Sequence, residues 1–135
     1  MTLGRFRHQG YSLGYEVHGE GERVIVLTNG LLLDAGVNRR LARSLAERGF
    51  CVVLLDLLGH GTSDKPHHAT QHRMDRYARQ VVAPLDGLGV QRAVVGGVSS
   101  RLWPTCGCRL KTIRHSCAPP DGCSRQFPKR PLWSR

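Results

Sequence analysis

Three short apolar runs limit most strongly what this chain can fold into. Val24-Ile25-Val26-Leu27-Thr28, Cys51 to Leu55, and Ala93-Val94-Val95 are rich in β-branched residues and carry no alternating polar face. A strand with one wet face alternates; a strand covered on both faces does not, and that is the pattern of a parallel sheet with helices on each side. Two amphipathic stretches separate the runs. Residues 37–48 repeat Val37, Leu41 and Leu45 every four positions, with Gly49 as the stop. Residues 72–88 place Met74, Tyr77, Ala78, Val81, Val82 and Leu85 on one face, and Pro84 is expected to kink or fray that helix. Upstream, residues 5–18 read as a β-hairpin turning near Gly10. The fold class is therefore α/β: an N-terminal hairpin, then parallel strands with flanking helices and right-handed crossovers.

In such sheets, chemistry gathers in the loops beyond the C-terminal ends of the strands. Three loops qualify. The last is Gly97-Val98-Ser99-Ser100-Arg101, which sets a serine between a strand and an expected helix. That is the setting of the nucleophile elbow, G-x-S-x-G, in which the serine sits at a strained backbone angle and its neighbours two positions away must be small. Gly97 meets the requirement and Arg101 violates it. A serine in this place otherwise serves as a helix cap. The loop Asn29-Gly30-Leu31-Leu32 follows the first run, and Asp56-Leu57-Leu58-Gly59-His60-Gly61-Thr62-Ser63 follows the second.

These three motifs, in this order, resemble the first half of an α/β-hydrolase-fold enzyme of the esterase, lipase and haloperoxidase-like branch. The resemblance covers about residues 10–100. That family typically has His-Gly after its third strand, Asp-x-x-Gly-x-Gly-x-Ser after its fourth and the elbow after its fifth. Here Asn29 stands where histidine is usual, the second motif is intact at Asp56, Gly59, Gly61 and Ser63, and the third stops halfway. The resemblance implies an incomplete α/β-hydrolase sheet over residues 1–100. It implies Ser99 as nucleophile and the backbone amides of Leu31 and Ser100 as oxyanion donors, with Gly30 as the alternative donor. It further implies a small ester-like substrate, no cofactor, and a structural part for the Asp56–Ser63 loop, whose two named ends cap the turn.

A serine hydroxyl needs a histidine to take its proton and an acid to orient that histidine. In the family the chain order is serine, acid, histidine. After Ser99 this chain offers His115 and then Asp121, the reverse order. His60, His67, His68 and His72 lie in an upper loop, where exposed loop histidine is the simpler reading. A truncated, inactive enzyme is the expectation.

Composition changes at the serine. Of the formal net charge of +10, residues 101–135 carry +7, together with four of the five cysteines and five of the seven prolines. This segment shows no helical or strand periodicity, and Pro104 falls where the helix after the elbow should run. It reads as a disordered tail from a shifted reading frame: codons permitted for Trp103 to Arg109 can spell Ala-Asn-Val-Trp-Leu-Gln in another frame. Cys106, Cys108, Cys117 and Cys123 lack the paired C-x2-C spacing of a zinc site, so no metal is expected. Trp103, Phe127 and Trp133 among arginines could stack on bases, but a sticky extension is the plainer reading. The alternative to an enzyme is a noncatalytic polypeptide whose tail binds nucleic acid or zinc. No run reaches the ~20 apolar residues of a membrane span, and the N-terminus MTLGRFRHQGY lacks a signal-peptide core, so no membrane partner and a cytoplasmic location are expected. The outer edge of the third strand is expected to lie unpaired and to drive self-association.

Overall fold

The computed structural model of this 135-residue chain describes residues 1–30, 33–97 and 111–114. Its strands are β1 (Thr2–His8), β2 (Tyr11–His18), β3 (Arg23–Thr28), β4 (Phe50–Leu55), β5 (Arg92–Gly97) and β6 (Lys111–Arg114). Its α-helices are α1 (Arg39–Glu47) and α2 (Met74–Gly87), each preceded by a short 3-10 turn, at Ala35–Asn38 and Ala69–His72. The strands form one mixed sheet in the order β1-β2-β4-β3-β5-β6. The β1–β2 hairpin is antiparallel, and β2 lies antiparallel to β4. The three apolar runs form the parallel centre, with β3 between β4 and β5. Both faces of that centre are covered, which is why the runs do not alternate. Val24, Val26, Cys51, Val53 and Val95 pack with Tyr77, Val81 and Leu85 of α2 on one face. Ile25, Leu27, Val52 and Leu54 pack with Ala42 of α1 on the other. Among the described residues no helix is long and apolar enough to cross a membrane.

The inward face of α1 differs from the hydrophobic repeat. Val37 and Leu41 are 49% and 48% exposed, and Asn38 and Ala42 are buried instead, with Leu45 partly buried beside them. Two polar anchors set this rotation. Asn38 Nδ2 donates to Thr28 O at 3.3 Å and to Asn29 Oδ1 at 3.1 Å, which pulls Asn38 inward. Arg39 grips the buried Glu16 of β2 through Nε (3.1 and 3.0 Å to the two carboxylate oxygens) and Nη2 (2.6 Å). A hydrogen-bonded polar residue thus takes a place that periodicity assigns to valine.

The helix α2 deviates in the same way. Met74 and Ala78 face outward, while Gln80 is buried and its Oε1 accepts from Leu58 N at 2.9 Å. The helix continues through Pro84 to Gly87, with Leu88 N donating to Pro84 O at 3.0 Å.

At the far edge, β6 pairs antiparallel with β5 in register from Arg92↔Arg114 to Val95↔Lys111. This corrects the expectation of an unpaired β5 edge and, for residues 111–114, the expectation of a disordered tail. A free strand edge presents a row of unsatisfied backbone groups, and a nearby extended segment satisfies them. Lys-Thr-Ile-Arg is too short to show a period, so its β-branched pair carried the signal unnoticed.

Two outcomes follow from this packing. Leu41→Lys should change stability by no more than about 0.5 kcal/mol, as at an ordinary surface site. Leu54→Ala, at a fully buried position, should cost about 2–5 kcal/mol; urea unfolding of both variants checks the contrast. The Arg39 guanidinium holds the Glu16 carboxyl below its ordinary range, against the opposing effect of burial. A depressed carboxyl stabilises the fold above its unfolded pKa of roughly 4.3, and that contribution is lost as pH falls below it. Urea midpoints from pH 7 to pH 3 should therefore fall more steeply for the parent chain than for Glu16→Gln.

Candidate functional site

The parallel register sets the site. Thr28 stands opposite Leu55 on one side and Gly97 on the other, so β3, β4 and β5 end level. The loop after β3, the loop after β4 and the chain leaving β5 therefore start side by side. Gly30 is buried at the first of these exits, and its carbonyl accepts from Leu33 N at 3.1 Å. Ser99, Ser100 and Leu31 lie outside the described residues, as do His115, Asp121 and the cysteines at 106, 108, 117 and 123. What is placed is the end of β5 that leads toward Ser99. A Cβ on Gly97 would stand 2.7 Å from Thr28 Oγ1 and 3.0 Å from Thr28 O. The glycine is thus required by the neighbouring strand, whereas the sequence motif ties it to the helix that follows.

Asp56 closes the gap between the first two loops. Its Oδ1 accepts from Asn29 Nδ2 at 3.1 Å and from Ala35 N at 2.9 Å. Its Oδ2 accepts from Thr62 N at 2.9 Å and from Thr62 Oγ1 at 3.1 Å. Ser63 Oγ donates to the Asp56 carbonyl and accepts from Gly14 N at 2.8 Å, which ties the turn to β2. Gly61 has a φ of +45°, and a Cβ there would run into the Asp56 carboxylate. Glycine is needed on both counts. The structural reading of Asp56 and Ser63 agrees with these contacts, but Asp56 reaches beyond its own loop to Asn29 and Ala35. The missed member is Asn38. The signal for it was its phase with Ala42 and Leu45, four and seven positions on.

The upper-loop histidines are held in local contacts. His60 Nδ1 donates to Leu58 O at 3.1 Å, and its ring meets Tyr77 edge-on with centroids 6.3 Å apart. His72 Nε2 donates to Pro66 O at 2.8 Å, and its Nδ1 lies 2.8 Å from Tyr77 Oη. His67 and His68 are exposed. Burial pushes the Tyr77 hydroxyl above its ordinary value. Cys51 is fully buried, and desolvation pushes its thiol up to about 11, so it stays a protonated, inert core residue. Among the described residues no group of three or more His, Cys, Asp or Glu is placed to hold a metal ion.

A hairpin feeding a mixed sheet with a parallel centre, and loops leaving that centre at level strand ends, are the marks of the α/β-hydrolase fold. The chain belongs to the alpha/beta hydrolase fold family, whose sequence model matches residues 23–100. It is 32% identical over 90 residues to a protein of Mycobacterium phage D29 provisionally named a non-heme haloperoxidase; the match takes in 67% of this chain and 31% of that protein. Its fold superposes with a TM-score of 0.68 on epoxide hydrolase A of Mycobacterium thermoresistibile, at 25% identity over 71% of this chain and 30% of that one. A thioesterase domain from the curacin biosynthetic pathway superposes with a TM-score of 0.67 at 24% identity, covering 73% of this chain and 37% of the other. The chain thus spans about a third of the length of the relatives it matches.

The crowding at Gly97 is open to test. Gly97→Ala should destabilise the chain by about 1–3 kcal/mol through overpacking. Thr28→Ala, which removes the Oγ1 that the new methyl meets, should recover part of that loss. A double-mutant cycle in urea measures the coupling.

Proposed function

We propose that this chain carries the nucleophile and oxyanion-loop half of a serine hydrolase acting on a small ester-like substrate. We further propose that residues 1–135 alone do not complete the reaction. The observation that carries the reading is Gly97 pressed against Thr28: a chain leaving β5 there starts beside the loop after β3. A serine two residues on would attack an acyl carbonyl within reach of amides from that loop. In the family's scheme Ser99 Oγ bonds to the carbonyl carbon, and the amides of Leu31 and Ser100, or of Gly30, receive the oxygen as it becomes negative. Two such donors, aimed in advance, remove several kcal/mol from a barrier of this kind. A serine facing oxyanion donors suits acyl transfer, the chemistry that the curacin thioesterase domain carries in its name.

The serine proton has no acceptor in this scheme. His60 and His72 are engaged with loop carbonyls, and His115 precedes Asp121 where the family order places the acid first. Losing the base removes roughly 10⁴- to 10⁶-fold in kcat. The basic, cysteine- and proline-rich composition beyond residue 100 supports reading that segment as a shifted-frame continuation rather than a metal- or nucleic-acid-binding module.

The purified chain should hydrolyse p-nitrophenyl acetate no faster than buffer, and Ser99→Ala should leave that background unchanged. Repeated turnover that Ser99→Ala abolishes would keep Ser99 as nucleophile and overturn the claim that the chain lacks a base. Turnover that Ser99→Ala leaves intact would remove Ser99 from the reaction.

A further inference from the structure

We infer that Asp56 is a positioning residue that fastens the loop after β3 in place from both of its ends. The two described flanks of that loop are Asn29, where it leaves β3, and Ala35, where the 3-10 turn begins. Both donate to the same oxygen, Asp56 Oδ1, at 3.1 and 2.9 Å. The other oxygen is held by Thr62 through N and Oγ1. Four donors thus converge on two oxygens. A carboxylate of this size supplies about four acceptor sites and no donor. Asp56 is 4% exposed, so alanine there would leave the Asn29 and Ala35 donors without that acceptor, whereas asparagine can keep its carbonyl oxygen toward them and turn its NH2 to the Thr62 hydroxyl, which can accept.

Asn29 is clamped from its other side as well. Its Oδ1 accepts from Asn38 Nδ2, which also reaches Thr28 O. Both ends of the Asn29 amide are therefore used, and the side chain has one orientation that satisfies Asp56 and Asn38 together. Asn29 and Ala35, the two described flanks, are thereby tied to one carboxylate oxygen and so to each other. Donors aimed before charge develops are worth more than donors that must reorganise. This role rests on reading the loop after β3 as the oxyanion loop, whereas the clamp itself is a property of the fold and is measured without turnover.

Amide hydrogen exchange on the full chain tests the clamp. The Ala35 amide donates to Asp56, so its protection reports the contact. Asp56→Ala and Asn29→Ala should each speed exchange at Ala35 and at residues 33–37 by roughly tenfold or more, while amides of Val52 to Leu55 in β4 stay within about twofold. Ser63→Ala removes the bonds to Gly14 and to the Asp56 carbonyl but none to Asn29 or Ala35, and should leave Ala35 unchanged. A part limited to general stability would speed β4 and Ala35 by the same factor, and that result overturns the inference, as does undiminished protection of Ala35 in both variants. If Asp56→Ala does not fold, Asn29→Ala decides alone. Failure of the ester assay leaves this result standing, and failure here leaves the serine reading untouched.

Discussion

Parallel pairing on both sides of β3 is the constraint on which the rest of the structure depends. With β4 and β5 in register against it, Thr28 is level with Leu55 and Gly97, and three loops must leave the sheet at one height. The loops do not set that height themselves. The sheet does so, through backbone hydrogen bonds and two apolar layers that cover its faces. The cost falls on side-chain volume at the strand ends. Thr28 occupies the space a Gly97 Cβ would need, so the residue at the end of β5 is dictated from the next strand.

Once the loops are adjacent, their polar groups must be paired, since each one buried without a partner costs about 1–3 kcal/mol. The chain meets this with a small set of inward-facing polar residues. Asp56 takes four donors, Asn38 bridges Thr28 and Asn29, Gln80 accepts from Leu58, and Glu16 receives Arg39. Such groups specify a packing more sharply than apolar contacts do, because their geometry tolerates little error. They fix the rotation of α1, which turns Asn38 and Ala42 inward, with Leu45 partly buried, and leaves Val37 and Leu41 outside.

The matched relatives are about three times as long as the stretch they share with this chain. What is common includes the sheet centre, since the family match runs over residues 23–100. In this chain β6, from beyond residue 100, lies against β5. It meets the hydrogen-bonding demand of that strand with four residues whose sequence bears little likeness to a buried strand.

Local patterns were enough to settle the α/β class, the three buried strands, the hairpin, the existence of two helices and the order of the three site loops. Each rests on apolar continuity, a 3.6-residue repeat or glycine at a turn, and these act over a few neighbouring residues. The intact Asp56–Ser63 motif likewise showed which loop carries the turn. Tertiary structure alone decided which face of α1 and α2 points inward, that Asp56 serves Asn29 and Ala35 as well as Thr62, that Gly97 answers to Thr28, and that β6 covers the edge of β5. The reason is common to all four. Each depends on a partner in another element, brought near by strand register and packing, and the local pattern of a strand or helix does not contain the partner whose hydrogen bond or van der Waals surface makes the choice.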